Sequence, residues 1–103
     1  MIELTKANFD SEVTNAHKPV LVDFWSEGCG PCKMMEMVLE EVAAEYPDIA
    51  FAKMDAAKYP DVAFSFDVVS VPTVALFNEG RMKESIVGAV PKARIEKLLE
   101  SVA

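Results

Sequence analysis

The chain has 103 residues, of which 51% are hydrophobic and 26% are charged. This balance is typical of one globular domain, and we expect a single domain over residues 1–103. The net charge of -7 argues against nucleic acid and anionic membranes as binding partners. No apolar run reaches the roughly 20 residues needed to span a bilayer, and the N-terminus lacks a signal-peptide pattern. We therefore expect a cytoplasmic protein.

The first quarter of the chain predicts a strand, a helix and a second strand. Ile2–Leu4 forms the first strand, and Thr5 is a plausible N-cap for a helix that begins near Lys6. The apolar face of that helix would consist of Phe9, Val13 and Ala16. Val20–Trp25 is almost continuously apolar, which is typical of a central strand covered on both faces, and only Asp23 interrupts it.

The next segment predicts a loop, a helix and a third strand. The helix begins near Cys29, and Pro31 suits its first turn because a missing N–H costs nothing there. A helical stripe then continues to Pro47, and its members are Met35, Val38, Leu39, Val42 and Tyr46. Ile49–Asp55 is the third predicted strand.

The last part of the chain predicts a short helix opened by Pro60 and then a β-hairpin. Val71-Pro72-Thr73 leads into a strand that continues through Phe77, and Arg81 to Val87 pairs back with it after a turn at Asn78, Glu79 and Gly80. Pro91 opens the last helix. The resulting order, βαβαβαββα, predicts an α/β protein with a mixed central sheet and helices on both faces.

The two cysteines are the strongest candidates for chemistry. Cys29 and Cys32 lie where a strand, a loop and the start of a helix follow one another. A helix N-terminus stabilises a thiolate, the form that attacks disulfides, so Cys29 is the candidate nucleophile and Cys32 the more buried resolving thiol. The alternatives are structural thiols or zinc ligands, but zinc prefers four ligands, and one chain offers two cysteines and the distant His17, so only a dimer could supply four thiolates. We expect neither a metal nor another cofactor.

Asp23 is the candidate proton acceptor for Cys32. An acid in a central strand is costly, and burial raises a carboxyl pKa towards neutrality, where the group can act as a base. Lys53 lies at the corresponding depth of the next predicted strand and could pair with Asp23. The alternatives are a buried acid satisfied by local hydrogen bonds and a solvated lysine at a strand end.

The stretch VLVDFWSEGCGPCKM, from Val20 to Met34, resembles the active-site region of the thioredoxin family. The similarity extends over nearly the whole chain, including Lys53, Val71-Pro72-Thr73, Gly80 and Gly88-Ala89. It implies the thioredoxin fold and a protein-disulfide oxidoreductase and electron carrier in cell redox homeostasis. It also implies a redox-active Cys29–Cys32 disulfide, a separate reductase as donor, disulfide-containing client proteins and a monomer.

The resemblance assigns further residues. Pro72 would be preceded by a cis peptide bond and face the dithiol, and Val71 would offer backbone groups to an extended substrate. Gly30 and Pro31 would tune the redox potential. The predicted substrate-binding surface consists of Trp25, Gly28, Val71, Pro72 and Gly88.

Two positions depart from the family pattern. Gly28 replaces the tryptophan that usually precedes the first cysteine, and Met37 replaces a proline that usually kinks the helix. Gly28 removes an apolar contact beside Cys29 and adds backbone freedom. We expect both changes to affect partner choice, and exposed Met34 and Met37 could replace some of the lost contact.

Two alternatives stay open at this point. The chain could be a binding module with an incidental dithiol, or an oxidant or isomerase rather than a reductase. Gly30 and Pro31 between the cysteines resemble the reducing members of the family.

Overall fold

The structure is a computed structural model that describes residues 1–103. The five strands are β1 (Ile2–Leu4), β2 (Val20–Trp25), β3 (Ala50–Asp55), β4 (Thr73–Asn78) and β5 (Arg81–Val87). The helical segments are a π-helical turn (Asp10–Thr14), α1 (Gly30–Ala43), α2 (Pro60–Ser65) and α3 (Lys92–Leu99). This order confirms the predicted alternation of strands and helices.

The strands form one mixed sheet in the order β1-β3-β2-β4-β5. β3 pairs in parallel with both β1 and β2, while β4 pairs antiparallel with β2 and β5. β2 is therefore central, and its carboxyl end leads directly into the loop that carries the cysteines. The prediction of a mixed sheet in an α/β protein is confirmed.

The hydrophobic core lies on both faces of this sheet. The first half packs beneath the π-helical turn and α2, and its largest buried side chains include Leu4, Phe9, Phe24, Met54 and Phe77. The second half packs beneath α1 and α3, with Leu21, Met35, Leu39, Ile95 and Leu99 among its members. No helix has the length and apolar composition required to cross a membrane.

The first helix differs from its prediction. Thr5 does cap a turn, because the Asn8 N–H donates to Thr5 Oγ1 at 3.3 Å and the Thr5 N–H donates to Asn8 Oδ1 at 2.7 Å. The turn then widens, and the Asn15 N–H donates to the Asp10 carbonyl five residues earlier at 2.8 Å. A short π-helical turn replaces the predicted α-helix.

Several predicted boundaries also shift, among them the end of β4, which is Asn78 rather than Phe77. α1 ends at Ala43 rather than continuing to Pro47, and β3 begins at Ala50 rather than Ile49. Beyond α1 the Tyr46 N–H still donates to the Ala43 carbonyl at 3.3 Å. This tighter bond turns the chain after the helix, so that Tyr46 packs against the core although it lies outside α1.

Candidate active site

Strand alternation places Asp23 on the face of the sheet that α1 covers. Along β2, Val20, Val22 and Phe24 belong to one half of the core and Leu21 belongs to the other. Because successive side chains point to opposite faces, Asp23 shares the face of Leu21. Asp23 is only 1% exposed.

The loop after β2 turns at Gly28 and places Cys29 at the start of α1. Gly28 has a φ of +77°, in the left-handed region, and an added Cβ would have nothing within 4 Å. The backbone conformation therefore favours glycine here, while space is available for a larger side chain. Cys29 is the N-cap of α1, and Pro31 lies in the first helical turn.

Cys29 and Cys32 form a disulfide across this helix terminus. The two sulfurs have different surroundings, since Cys29 is half-buried and Cys32 is 3% exposed. Cys29 Sγ also accepts a hydrogen bond from the Cys32 N–H at 3.1 Å. In the reduced protein this free N–H of the first turn would favour a negative charge on Cys29.

The Asp23 carboxyl is buried without a compensating hydrogen bond. Neither carboxyl oxygen has a hydrogen-bond partner in the protein. Burial raises the pKa of Asp23 from 3.8 to about 7; the charge of Glu36 raises it as well, and that of Lys53 lowers it. A carboxyl group with such a pKa exchanges protons readily near neutral pH.

Lys53 lies directly across from Asp23 in the pairing of β2 and β3. Its ion pair is with a different acid, because Lys53 Nζ lies 3.2 Å from Glu36 Oε1. The Lys53 ammonium is also 5.6 Å from the centre of the Trp25 ring, whose indole N–H is buried and has no protein partner. Lys53 therefore acts on Asp23 only through its charge.

Glu36 is a site residue that the sequence pattern did not indicate. It lies four residues after Cys32 and therefore on the same side of α1, which otherwise carries the buried side chains Met35, Leu39 and Val42. An acid at this spacing from the resolving cysteine was the available signal. Glu36 lines the groove beside the disulfide together with Trp25, Ser26, Glu27, Gly28, Cys29, Cys32 and Lys33.

The residues predicted to bind substrate lie at the same edge of the sheet. Thr73 pairs with Phe24, so that Val71 and Pro72 lie beside the carboxyl end of β2. The Val71–Pro72 peptide bond is cis, as the resemblance implied. The Gly88 N–H donates to the Pro72 carbonyl at 2.8 Å and joins the end of β5 to this edge.

The exposed methionines lie on α1, beyond the cysteines. Met34 is 65% exposed and Met37 is 72% exposed, in agreement with the exposure expected from the sequence. A Cβ added at Gly30, between the cysteines, would contact no other part of the protein within 4 Å. No group of three or more His, Cys, Asp or Glu side chains is arranged to hold a metal ion.

A disulfide at a helix N-terminus, with one half-buried and one buried sulfur, and an unpaired acid on the sheet face that this helix covers, together define a thiol–disulfide oxidoreductase. Comparison with known proteins gives the family. Residues 1–101 match the family model of thioredoxin. Thioredoxin of Mycobacterium tuberculosis is 47% identical over 102 residues, which cover 98% of this chain and 88% of that protein. Thioredoxin of Acidithiobacillus ferridurans is 41% identical over 95 residues, which cover 91% of this chain and 88% of that protein.

The chain belongs to the thioredoxin family. Its Cys29–Cys32 pair is the redox group and carries out thiol–disulfide exchange. The fold, the family and the oxidoreductase activity expected from the sequence are thereby confirmed.

Proposed function

We propose that the chain reduces protein disulfides through two unequal cysteines. The Cys29 thiolate attacks one sulfur of the partner disulfide, a mixed disulfide forms, and the other partner sulfur leaves as a thiolate and takes a proton from solvent. Cys32 then attacks Cys29 Sγ, the mixed disulfide breaks, and the second partner thiolate leaves and is protonated in turn. Two electrons pass to the partner, and Cys29 and Cys32 become the disulfide.

Asp23 accepts the proton of Cys32 before this second attack. Cys32 is buried, and burial in apolar surroundings disfavours a thiolate, so the resolving step needs a base. The observation that supports this role is the buried Asp23 carboxyl without a hydrogen-bond partner, on the same face of the sheet as α1. After the exchange Asp23 releases its proton to solvent.

The partner docks along the edge formed by Val71, Pro72 and Gly88. Val71 is only half-buried and precedes β4, so its backbone groups can pair with an extended partner segment. Trp25 and Gly28 border the neighbouring groove beside Cys29. Gly30 and Pro31, between the two sulfurs, tune the reduction potential of the pair.

A separate reductase returns the disulfide to the dithiol. One relative, 47% identical over 102 residues, is the bifunctional thioredoxin reductase/thioredoxin of Mycobacterium leprae, of which this chain covers 22%. That name supports a reductase partner for the present chain. Electrons arrive by disulfide exchange, so we propose no cofactor besides the cysteine pair, action as a monomer, and a cytoplasmic location.

Trapping experiments test the order of the two thiols. We expect Cys32→Ser to accumulate a mixed disulfide with insulin or other clients, whereas Cys29→Ser forms none and loses insulin reduction. The double serine variant is the control, since partners that it retains bind without a disulfide. Wild-type turnover by Cys29→Ser would refute the mechanism, and equal capture by the double variant would favour a binding module.

The reduction potential tests the direction of the reaction. A reductase requires a value at or below the potential of the cytosolic glutathione pool, which is on the order of -220 to -320 mV. We expect the Cys29–Cys32 couple to fall there when it is equilibrated with glutathione. A clearly more oxidising value would instead support the oxidant or isomerase alternative.

A panel of reductases tests the role of Gly28 in partner choice. We expect Gly28→Trp to change the rates with different electron donors unequally, because a large side chain would enter the groove beside Cys29. Gly28→Ala controls for the backbone, since it introduces the same left-handed strain without the ring. Unchanged rates with every donor would exclude this position as a determinant of partner choice.

A further inference from the structure

Glu36 occupies a position that connects the helix of the cysteines with the buried acid. It lies on α1 four residues after Cys32, its side chain is 34% exposed, and it lines the groove beside the disulfide. Its Oε1 lies 3.2 Å from Lys53 Nζ, and this is the ion pair of Lys53. The exchange mechanism given above assigns Glu36 no role.

The pairing of Lys53 is unexpected from the sheet alone. Lys53 and Asp23 are direct neighbours on the parallel strands β3 and β2, so their side chains share one face of the sheet and an ion pair between them is expected. Instead the Lys53 ammonium binds Glu36 on the helix, and both Asp23 oxygens are left without a hydrogen-bond partner. Glu36 and Asp23 therefore compete for one cation, and Glu36 holds it.

We propose that Glu36 is a positioning residue for the resolving step, which holds the Lys53 ammonium away from Asp23 and leaves the Asp23 carboxylate without a compensating cation. An uncompensated, buried carboxylate gains more by taking up a proton than a paired one does. Asp23 is consequently the stronger base for Cys32. The functional importance of this arrangement rests on the proposed role of Asp23 as proton acceptor.

The other elements around Asp23 bring either no charged group or charged groups that are exposed to solvent. β4 places Val74 beside Asp23 and brings no charge. The loop and α1 contribute Glu27 and Lys33, which are exposed at the rim of the groove and are screened by water. Glu36 and Lys53 are less exposed than these two, and the remaining titratable groups are the cysteines themselves, so the Glu36–Lys53 pair is the main charged influence on Asp23.

The titration of Asp23 tests the proposal directly. In the oxidised protein, labelled with carbon-13 in aspartate, nuclear magnetic resonance follows the Asp23 carboxyl from pH 4 to pH 10. We expect Glu36→Gln to lower the midpoint by about one pH unit or more, because the repulsion is lost and Lys53 becomes free to approach Asp23. Glu40→Gln is the matched control, one turn further along α1 on an exposed site, and should leave the midpoint unchanged. An unchanged midpoint in Glu36→Gln would overturn the proposal.

The same substitution in a Lys53→Gln protein separates the positioning of Lys53 by Glu36 from direct repulsion between Glu36 and Asp23. If Glu36 acts by holding Lys53, the effect of Glu36→Gln must be smaller in a Lys53→Gln protein than in the wild type. An equal effect in both backgrounds would show that Lys53 is not involved and would overturn the positioning role.

Failure of this proposal is distinguishable from failure of the proposed function. The titration reports on the environment of Asp23 in the oxidised protein, whether or not Asp23 accepts a proton from Cys32. Rapid resolution in Asp23→Asn would refute Asp23 as the base, while the effect of Glu36→Gln on the Asp23 midpoint would persist.

Discussion

The two faces of β2 differ in the polarity of their buried side chains. On the face beneath the π-helical turn and α2, Val20, Val22 and Phe24 are all fully buried among apolar side chains. On the face beneath α1, Leu21 is followed by Asp23, which is equally buried but has no hydrogen-bond partner. The first face stabilises the fold, whereas the second gives up stability at the position of the proposed base for Cys32.

The largest loss of stability should follow from placing an acid on the apolar face of β2. We expect Val22→Asp to lose more than about 3 kcal/mol of unfolding free energy at pH 8, because an unpaired carboxylate would be buried with no cation near it. Urea unfolding measures the loss, and Val22→Thr, which matches valine in shape and carries no charge, should lose less. A loss below about 1 kcal/mol in Val22→Asp would show that this face accepts a buried charge at little cost and would contradict its purely structural role.

Removal of the buried charge at Asp23, on the face beneath α1, should stabilise the protein. The pKa of Asp23 is raised from 3.8 to about 7 on folding, so the unfolded state releases a proton in this range and stability falls as the pH rises through it. At about 1.4 kcal/mol per pH unit, the loss above pH 7 is at most about 4 kcal/mol. We expect oxidised Asp23→Asn to match the wild type near pH 4 and to exceed it by several kcal/mol at pH 8.

Unfolding of both proteins by urea at pH 4, 6 and 8 measures this difference. A constant gap across the three pH values would mean that Asp23 ionises as easily in the folded chain as in the unfolded one.

Two glycines with positive φ, Gly80 and Gly28, differ in the space around an added Cβ. Gly80, in the hairpin turn, has a φ of +76°, and a Cβ there would lie 2.7 Å from the carbonyl oxygen of Thr14 in the π-helical turn. We expect Gly80→Ala to cost about 2–3 kcal/mol through backbone strain and overlap. Gly28→Ala should cost only about 1 kcal/mol, because the backbone is strained but the space is free. Thermal unfolding ranks the two variants, and equal losses would contradict the difference in packing.

The smallest expected change in stability comes from Lys53→Met. The Lys53–Glu36 pair is partly exposed and worth little on its own, so the loss should stay below about 1 kcal/mol. The Lys53 charge lowers the pKa of Asp23, so its removal should move the Asp23 titration upward. Carbon-13 resonance of the carboxyl measures this shift, and a downward shift would contradict the charge arrangement.

Much of this architecture could be predicted from residue patterns. The continuous apolar run of Val20–Trp25 predicts a central strand, and the spacing of Met35, Leu39 and Val42 predicts the helix beside it, because burial leaves a clear period in the sequence. The π-helical turn could not be predicted in this way, because a widened turn keeps Phe9 and Val13 buried much as an α-helix would.

The candidate site was only partly predictable. The Cys-Gly-Pro-Cys motif and the isolated acid in β2 indicate a dithiol and a buried base. Lys53 pairs with Glu36, which lies 17 residues away in the chain, because α1 packs across the sheet. No local pattern predicts that Lys53 pairs with Glu36 rather than with Asp23. Glu36 therefore became evident only in three dimensions.

The rate of the resolving step shows whether Asp23 is the base for Cys32. The reduced protein is mixed rapidly with an excess of a symmetrical aromatic disulfide, which forms the mixed disulfide at Cys29, and release of the second aromatic thiol by Cys32 is followed in a single turnover from pH 5 to pH 10. We expect the wild-type rate to rise and then level off near pH 7, as the Asp23 carboxyl ionises. In Asp23→Asn the rate should be about 100-fold lower at pH 7 and should continue to rise with the ionisation of the Cys32 thiol. Superimposable profiles for the two proteins would contradict Asp23 as the base for Cys32.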